Sequence, residues 1–172
     1  MTTISGDTQN GSGKYLYDDG GTYEGQWQSG AAHGEGVRNF ANGDVYEGRY
    51  QRRGQDSDFD GEGTYTWVDG DVYNGQWQRG KRHGQGAFTW ANGNIYDGQF
   101  QDGAYNGQGT WTFADGASWQ GAWCDNEPDG PGTWRFADGL AMAGAGPGCD
   151  EQADAAAPAN WRAAAEAAEP GP

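Results

Sequence analysis

The chain of 172 residues has the length of one ordinary domain, yet 33 of them are glycine and only 34% are hydrophobic, with nine Trp, nine Tyr and six Phe supplying much of the apolar mass. That composition excludes a thick aliphatic core and favours a thin aromatic-faced structure or a repeat array. Ten basic against 25 acidic residues, a net charge of −15, oppose non-specific binding to nucleic acid or to an anionic membrane and favour encounter with a basic protein partner.

In chain order, "MTTISGDTQN" has neither the basic start nor the apolar run of a secretory signal, and 1–10 is expected to be a flexible N-terminus. No later segment suits a bilayer span, which points to the cytoplasm. "GSGKYLYDDGG" opens a half repeat over 11–22. Full repeats of about 23 residues follow at 23–45, 46–72, 73–95, 96–118 and 119–142. Tyr23, Tyr46, Tyr73, Tyr96 and Trp119 lead them, and Trp27, Tyr50, Trp77, Phe100 and Trp123 lie four positions on. A glycine separates each pair, and a Gly-x-Gly follows, as at Gly84/Gly86. Asn126 stands where glycine is expected and tolerates a left-handed turn. The second repeat carries about four extra residues in "QRRGQDSDFDGEG", and inserts in repeats usually emerge as loops.

Within each repeat the periodicity is two. Tyr73, Gly75 and Trp77 share one strand face, as do Gly86, Phe88 and Trp90, while Asn74 and Gln76 lie opposite. Each repeat therefore reads as a β-hairpin, with "ANG" and "DG" supplying turns. The expected fold is all-β, an elongated single-layer antiparallel meander of about eleven strands. A glycine between two aromatics leaves a hollow across which a ring from the adjacent strand is expected to lie.

Past the repeats, "GAGPGCDEQ" reads as a linker over 143–159. "NWRAAAEAAE", over 160–169, has Asn160 as N-cap and Pro170 as stop, with 170–172 as a tail. Trp161 would share a helix face with Ala164, Ala165 and Ala168, capping the last hairpin or docking on a partner, with disorder as the third reading. Cys124 and Cys149 have no metal-site spacing and are expected to be reduced.

The leading ligand surface is the first aromatic column, Tyr23, Trp27, Tyr46, Tyr50, Tyr73, Trp77, Tyr96, Phe100, Trp119 and Trp123. The second column comprises Tyr65, Trp67, Phe88, Trp90, Trp111, Phe113, Trp134 and Phe136. Arg52, Arg53, Arg79, Lys81 and Arg82 concentrate positive charge; they suit either phosphoinositide headgroups or an acidic partner segment, or simply protect sheet edges. His33 and His83 recur at equivalent places, which argues for a turn contact and against chemistry, and no zinc spacing surrounds them. "GEG", "GQG" and "GPG" lack the Lys-Ser/Thr of a phosphate loop, and no Ser-His-Asp or Cys-His arrangement occurs. No catalytic residue, metal ligand or cofactor is expected.

"YEGQWQSGAAHGEGVRNFANGDV" and "YNGQWQRGKRHGQGAFTWANGNI" resemble MORN repeats, the membrane occupation and recognition nexus motif, and the likeness runs from about Gly11 to Met142. The resemblance implies elongated β-meanders that serve as scaffolds. Some members bind a helix or an extended peptide along an aromatic groove, and others dimerise or sit in ciliary radial spokes and other axonemal assemblies. Lipid binding has been proposed for the family, so a peripheral phosphoinositide-binding module is the alternative. Since only short ends flank the repeats, and the alanine-rich end resembles the style of green-algal proteins, the expectation is a non-catalytic axonemal scaffold with protein partners.

Overall fold

The computed structural model describes residues 2–53 and 56–147. Alternating side chains and glycine-rich turns produce β1 (Thr2–Gly6), β2 (Asn10–Leu16), β3 (Thr22–Gln28), β4 (Ala31–Asn39), β5 (Val45–Arg53), β6 (Asp56–Thr66), β7 (Val72–Gln78), β8 (Lys81–Thr89), β9 (Ile95–Gln101), β10 (Ala104–Thr112), β11 (Ser118–Cys124), β12 (Glu127–Arg135) and β13 (Ala141–Pro147). The strand order follows the sequence, and the described residues contain no helix. This is the antiparallel meander that the two-residue period predicts.

Two kinds of turn alternate along it. Ser29-Gly30, Arg79-Gly80, Asp102-Gly103 and Asp125-Asn126 are two-residue reversals with positive φ at both positions. Such mirror-image turns match the twist of the strands they join. Asn126 takes φ 72°, the left-handed conformation expected of it, and its Oδ1 accepts from the Tyr105 amide at 2.9 Å. The second kind follows the "ANG" and "DG" signals. Phe40 N–H donates to Asp44 O at 2.9 Å, Gly43 N–H returns to Phe40 O at 3.1 Å, and the Asp44 amide donates to Asn42 Oδ1 at 3.1 Å. Asp19, Asp69, Asn92, Asp115 and Asp138 accept in the same way, so an Asx turn closes each of these reversals.

Four expectations need correction. Thr2–Gly6 is strand β1, paired with β2, within the stretch expected to be flexible, and β13 extends beyond 142 into the expected linker. Short side chains allow the latter: Gly144 lies under Trp134 and Gly146 against the Pro128 backbone, where a Cβ would collide. The insertion of the second repeat is not a loop over its described residues but a continuation of the β5–β6 ladder, with Tyr50 opposite Phe59, Gln51 opposite Asp58 and Arg52 opposite Ser57. Finally, Cys124 is disulfide-bonded instead of reduced. The only other cysteine, Cys149, lies outside the described residues, as do the expected helix at 160–169 and Trp161.

The chain divides into two compact units, Met1–Gly86 and Ala87–Pro172. In the first, Tyr23, Tyr46 and Tyr73 are wholly buried and Trp27, Tyr50 and Trp77 nearly so. The second buries Phe88, Trp90, Tyr96, Phe100, Tyr105, Trp111, Trp119, Trp123 and Trp134. The same device organises both. Gly25 faces Gly36 in register, and a Cβ on Gly25 would lie 2.5 Å from the Gly36 Cα. The Tyr23 ring lies across this pair and its hydroxyl donates to Gln26 O at 3.0 Å. Tyr46, Tyr73 and Tyr96 do likewise over their own glycine pairs, donating to Arg49, Gln76 and Gln99 carbonyls. The ring over each hollow thus comes from its own strand and not from the neighbouring one: the phenol needs a nearby carbonyl, and the strand itself offers one three residues on.

Candidate functional site

A hollow of about 560 Å³ opens on the aromatic face of the first unit. It is lined by the rings of Tyr15, Tyr17, Tyr23, Trp27, Phe40, Tyr50 and Phe59, by Arg38, and by Thr8, Gln9, Gly30, Ala31, Ala32 and Ser57. Alternation explains the placing: Tyr46, Gly48 and Tyr50 point to this face of β5, while Glu47 and Arg49 point away.

Backbone bonds run from two-residue turns to the preceding hairpin. Gly30 N–H donates to Gln9 O at 3.1 Å, and Gly80 N–H to Phe59 O at 3.0 Å. Ser57 Oγ donates to Ala32 O at 2.8 Å, tying the lengthened β5–β6 hairpin to β4. In the second unit Asn126 N–H bonds Tyr105 O at 3.1 Å. Within each unit these bonds couple neighbouring repeats, the local coupling expected of a repeat array.

The electrostatics of the hollow centre on Arg38. Its guanidinium lies over the Tyr17 ring, 3.4 Å from the centroid, with Phe40 at 5.2 Å. Asp19 offsets the charge at 3.4 Å. Burial pushes the Tyr17 phenol up, and the Arg38 charge opposes this. Burial also pushes up Tyr23 and Tyr50. All three therefore remain neutral hydroxyls near pH 7.

The other face is ionic. Lys14 pairs with Glu24 at 3.2 Å, and Arg53 with Asp60 at 2.7 Å and Asp58 at 3.4 Å. The basic residues singled out from sequence are divided by this architecture. Arg52 and Arg53 alternate to opposite faces of β5, Arg79 and Lys81 flank the tight turn at Gly80, and Arg82 packs 6.0 Å from the Tyr73 ring centroid. His33 and His83 are half-buried, and each has an Nδ1 that is buried without a hydrogen-bond partner. Among the described residues, no group of three or more His, Cys, Asp or Glu could hold a metal ion.

The first aromatic column divides between core and site. Tyr23, Tyr46, Tyr73, Tyr96 and Trp119 have no exposed surface, and of this column only Tyr23, Trp27 and Tyr50 line the hollow. In the second column Tyr65, Trp67 and Phe113 are half-buried, Phe88, Trp90, Trp111 and Trp134 are buried, and Phe136 is exposed. Ala32, Arg38, Phe40 and Phe59 were not among the residues singled out. Arg38 could have been found as a departure from the repeat, since Tyr65, Phe88, Trp111 and Trp134 occupy its sister positions; Ala32 could not, since Arg82 and Pro128 stand beside Phe59 and Tyr105 at its own.

Six stretches, 4–22, 23–45, 58–72, 73–95, 96–118 and 119–141, match the MORN repeat pattern and together span most of the chain. The chain belongs to the MORN repeat family. The MORN match begins at residue 4, so it takes in part of β1, and it omits 46–57, where the lengthened hairpin departs from the pattern. No curated protein matches the sequence. Among solved structures, the MORN sheet is similar to the TCP10 domain of Danio rerio CPAP, solved in complex with a peptide of Danio rerio STIL, at 15% identity and a TM-score of 0.50 over 83% of this chain. This chain spans 64% of that one. It is also similar, with a TM-score of 0.37 and 12% identity, to the SAS-4 (dCPAP) TCP domain of Drosophila melanogaster in complex with a proline-rich motif of Ana2, over 83% of this chain and 87% of that chain.

Proposed function

We propose that the protein is a non-catalytic scaffold that holds an extended or helical segment of a partner protein in the aromatic groove of its first unit. The observation that carries this reading is the hollow itself, an opening lined by seven aromatic rings and Arg38. Ring-lined concavities with a few polar groups are the usual receptors for peptide segments. The peptide held by the Danio rerio domain of similar fold is consistent with that use. Affinity would come from the groove's rings buried on binding, and the acidic surface would speed encounter with a basic partner. The same proposal extends to a ciliary or flagellar assembly such as a radial spoke; this part rests on the sequence resemblance and on the alanine-rich end.

Affinity capture from the native cell tests both parts. The whole chain is compared with a Tyr17→Ala/Phe40→Ala variant, which removes two of the rings that line the groove. Partners retained by the wild type and lost from the variant are expected, with axonemal proteins among them. Identical captured sets would sink the groove as the binding surface, and a specific set without axonemal proteins would sink the cellular placement alone.

A further inference from the structure

We propose that the hollow is a receptor for one aromatic side chain carried on an extended segment of the partner. The proposal rests on the scaffold reading and specifies what the scaffold grips. It comes from the strand register, which identifies equivalent positions across repeats. Opposite the second aromatic of a repeat stands Phe59 (across from Tyr50), Tyr105 (across from Phe100) or Pro128 (across from Trp123). In the repeat 73–95 the equivalent position in sequence is Arg82, and in the repeat 23–45 that place holds Ala32, across from Trp27. Opposite the leading aromatic stands Tyr65, Trp111 or Trp134, but here Arg38 faces Tyr23.

Two of the four sister repeats place a ring here and show what the alanine leaves out. Phe59 stacks on Tyr46 with centroids 3.7 Å apart and planes at 11°, and Tyr105 lies on Tyr96 at 4.1 Å and 32°. Ala32 supplies no ring to Tyr23, and the hollow lies at this place. It is larger than one side chain, so it admits a ring together with the backbone on either side. Arg38 adds a flat guanidinium, held on Tyr17, against which an aromatic can stack.

A second departure points the same way. Trp27, Trp77 and Trp123 each donate their indole N–H to a glycine carbonyl fourteen residues back, at 3.0, 3.0 and 3.1 Å. Tyr50 occupies the corresponding place in its repeat, is 6% exposed and lines the hollow, and its hydroxyl has no hydrogen-bond partner. A buried donor left unmade is costly, and because the hydroxyl itself is closed off in the free chain, a backbone carbonyl of the bound segment would satisfy it as the ring turns toward the hollow. The occupant is thus a peptide that supplies the ring missing at Ala32 and an acceptor for Tyr50.

The test uses the whole chain and a phage-displayed library of random nine-residue peptides. Selection should enrich sequences with an aromatic residue at one fixed position. A synthetic copy of the most enriched peptide should bind Ala32→Phe at least tenfold more weakly than wild type, while that variant's Tm is equal or higher, since its ring fills the hollow as Phe59 does. Tyr50→Phe should weaken binding several-fold. In wild-type protein the peptide should shift the NMR signals of the Ala32 methyl and the Arg38 Nε–H, a readout independent of how any variant folds. Enriched peptides without a fixed aromatic, binding to Ala32→Phe within twofold of wild type, or unmoved Ala32 and Arg38 signals would overturn the ring receptor and leave the scaffold reading standing. Failure to enrich any peptide would overturn both.

Discussion

Asp44 sits 5% exposed in the turn of the repeat 23–45, where it accepts from Tyr65 Oη at 2.7 Å, Val68 N–H at 2.9 Å and Asn42 Nδ2 at 2.9 Å. Desolvation is the largest influence on this carboxyl and raises its pKa, but the three donors together outweigh it and hold the group below its ordinary value. Asp44→Ala is therefore expected to cost about 2–3 kcal/mol at pH 7, as for a lost charge-assisted hydrogen-bond set. Because the folded pKa is depressed, that stability is fully present above the unfolded value of about 4 and is lost as pH falls through the folded value. Urea titrations should show a constant gap between wild type and variant above about pH 5 that narrows below about pH 4; a gap unchanged at low pH would mean that the charge contributes nothing. The glycine pairs make a second demand at this scale. A Cβ on Gly109 would collide with the Tyr96 ring, which is buried and bonded to Gln99 O. Gly109→Ala should lower stability by roughly 1–3 kcal/mol through overpacking, read as a lower urea midpoint. An unchanged midpoint would show that the ring moves aside freely.

Hairpins were legible in the sequence because their signals are local: alternation places the rings, and glycine, asparagine or aspartate marks the reversals. Asp125-Asn126 makes this quantitative. Both residues have positive φ, which a β-branched side chain resists. Asn126→Val and Asn126→Gly both lose the bond from the Tyr105 amide, but only valine also opposes the backbone. Valine should therefore be less stable than glycine by about 1–2 kcal/mol in thermal melts; equal melting would refute the turn geometry. What lay beyond the sequence was non-local or carried by the backbone. The Gly30–Gln9 and Gly80–Phe59 bonds that tie a hairpin tip to the preceding hairpin use main-chain atoms, which any residue supplies. β13 is built of alanine and glycine, a composition that reads as linker until Gly144 and Gly146 are seen beneath Trp134 and beside Pro128. The site was hidden for a related reason. Ala32 is unremarkable in a string of letters, and gains meaning only when the ladder sets it opposite Trp27 at the place where Phe59 and Tyr105 stand in sister repeats.

Across the whole molecule the excess of acidic residues sets a balance that no single contact reveals. A net charge of −15 generates self-repulsion in the folded state. Against it stand ion pairs such as Lys14–Glu24 and Arg49–Glu35, whose side chains are 39–69% exposed and which contribute only about 0–1 kcal/mol each. The better-buried Arg38 reaches an Asp19 that is itself 55% exposed. Salt screens both effects, but repulsion among 25 acidic residues outnumbers what ten basic residues can pair. The stronger influence should therefore be relief of repulsion, and Tm should rise as sodium chloride is increased from about 20 to 500 mM, most of the gain coming by about 150 mM, where the screening length is near 8 Å. Potassium sulfate at matched ionic strength separates screening from the additional effect of an excluded anion on apolar burial. A Tm that falls with sodium chloride would mean that the ion-paired outer face, and not the ring-packed inner one, dominates the electrostatic contribution to stability.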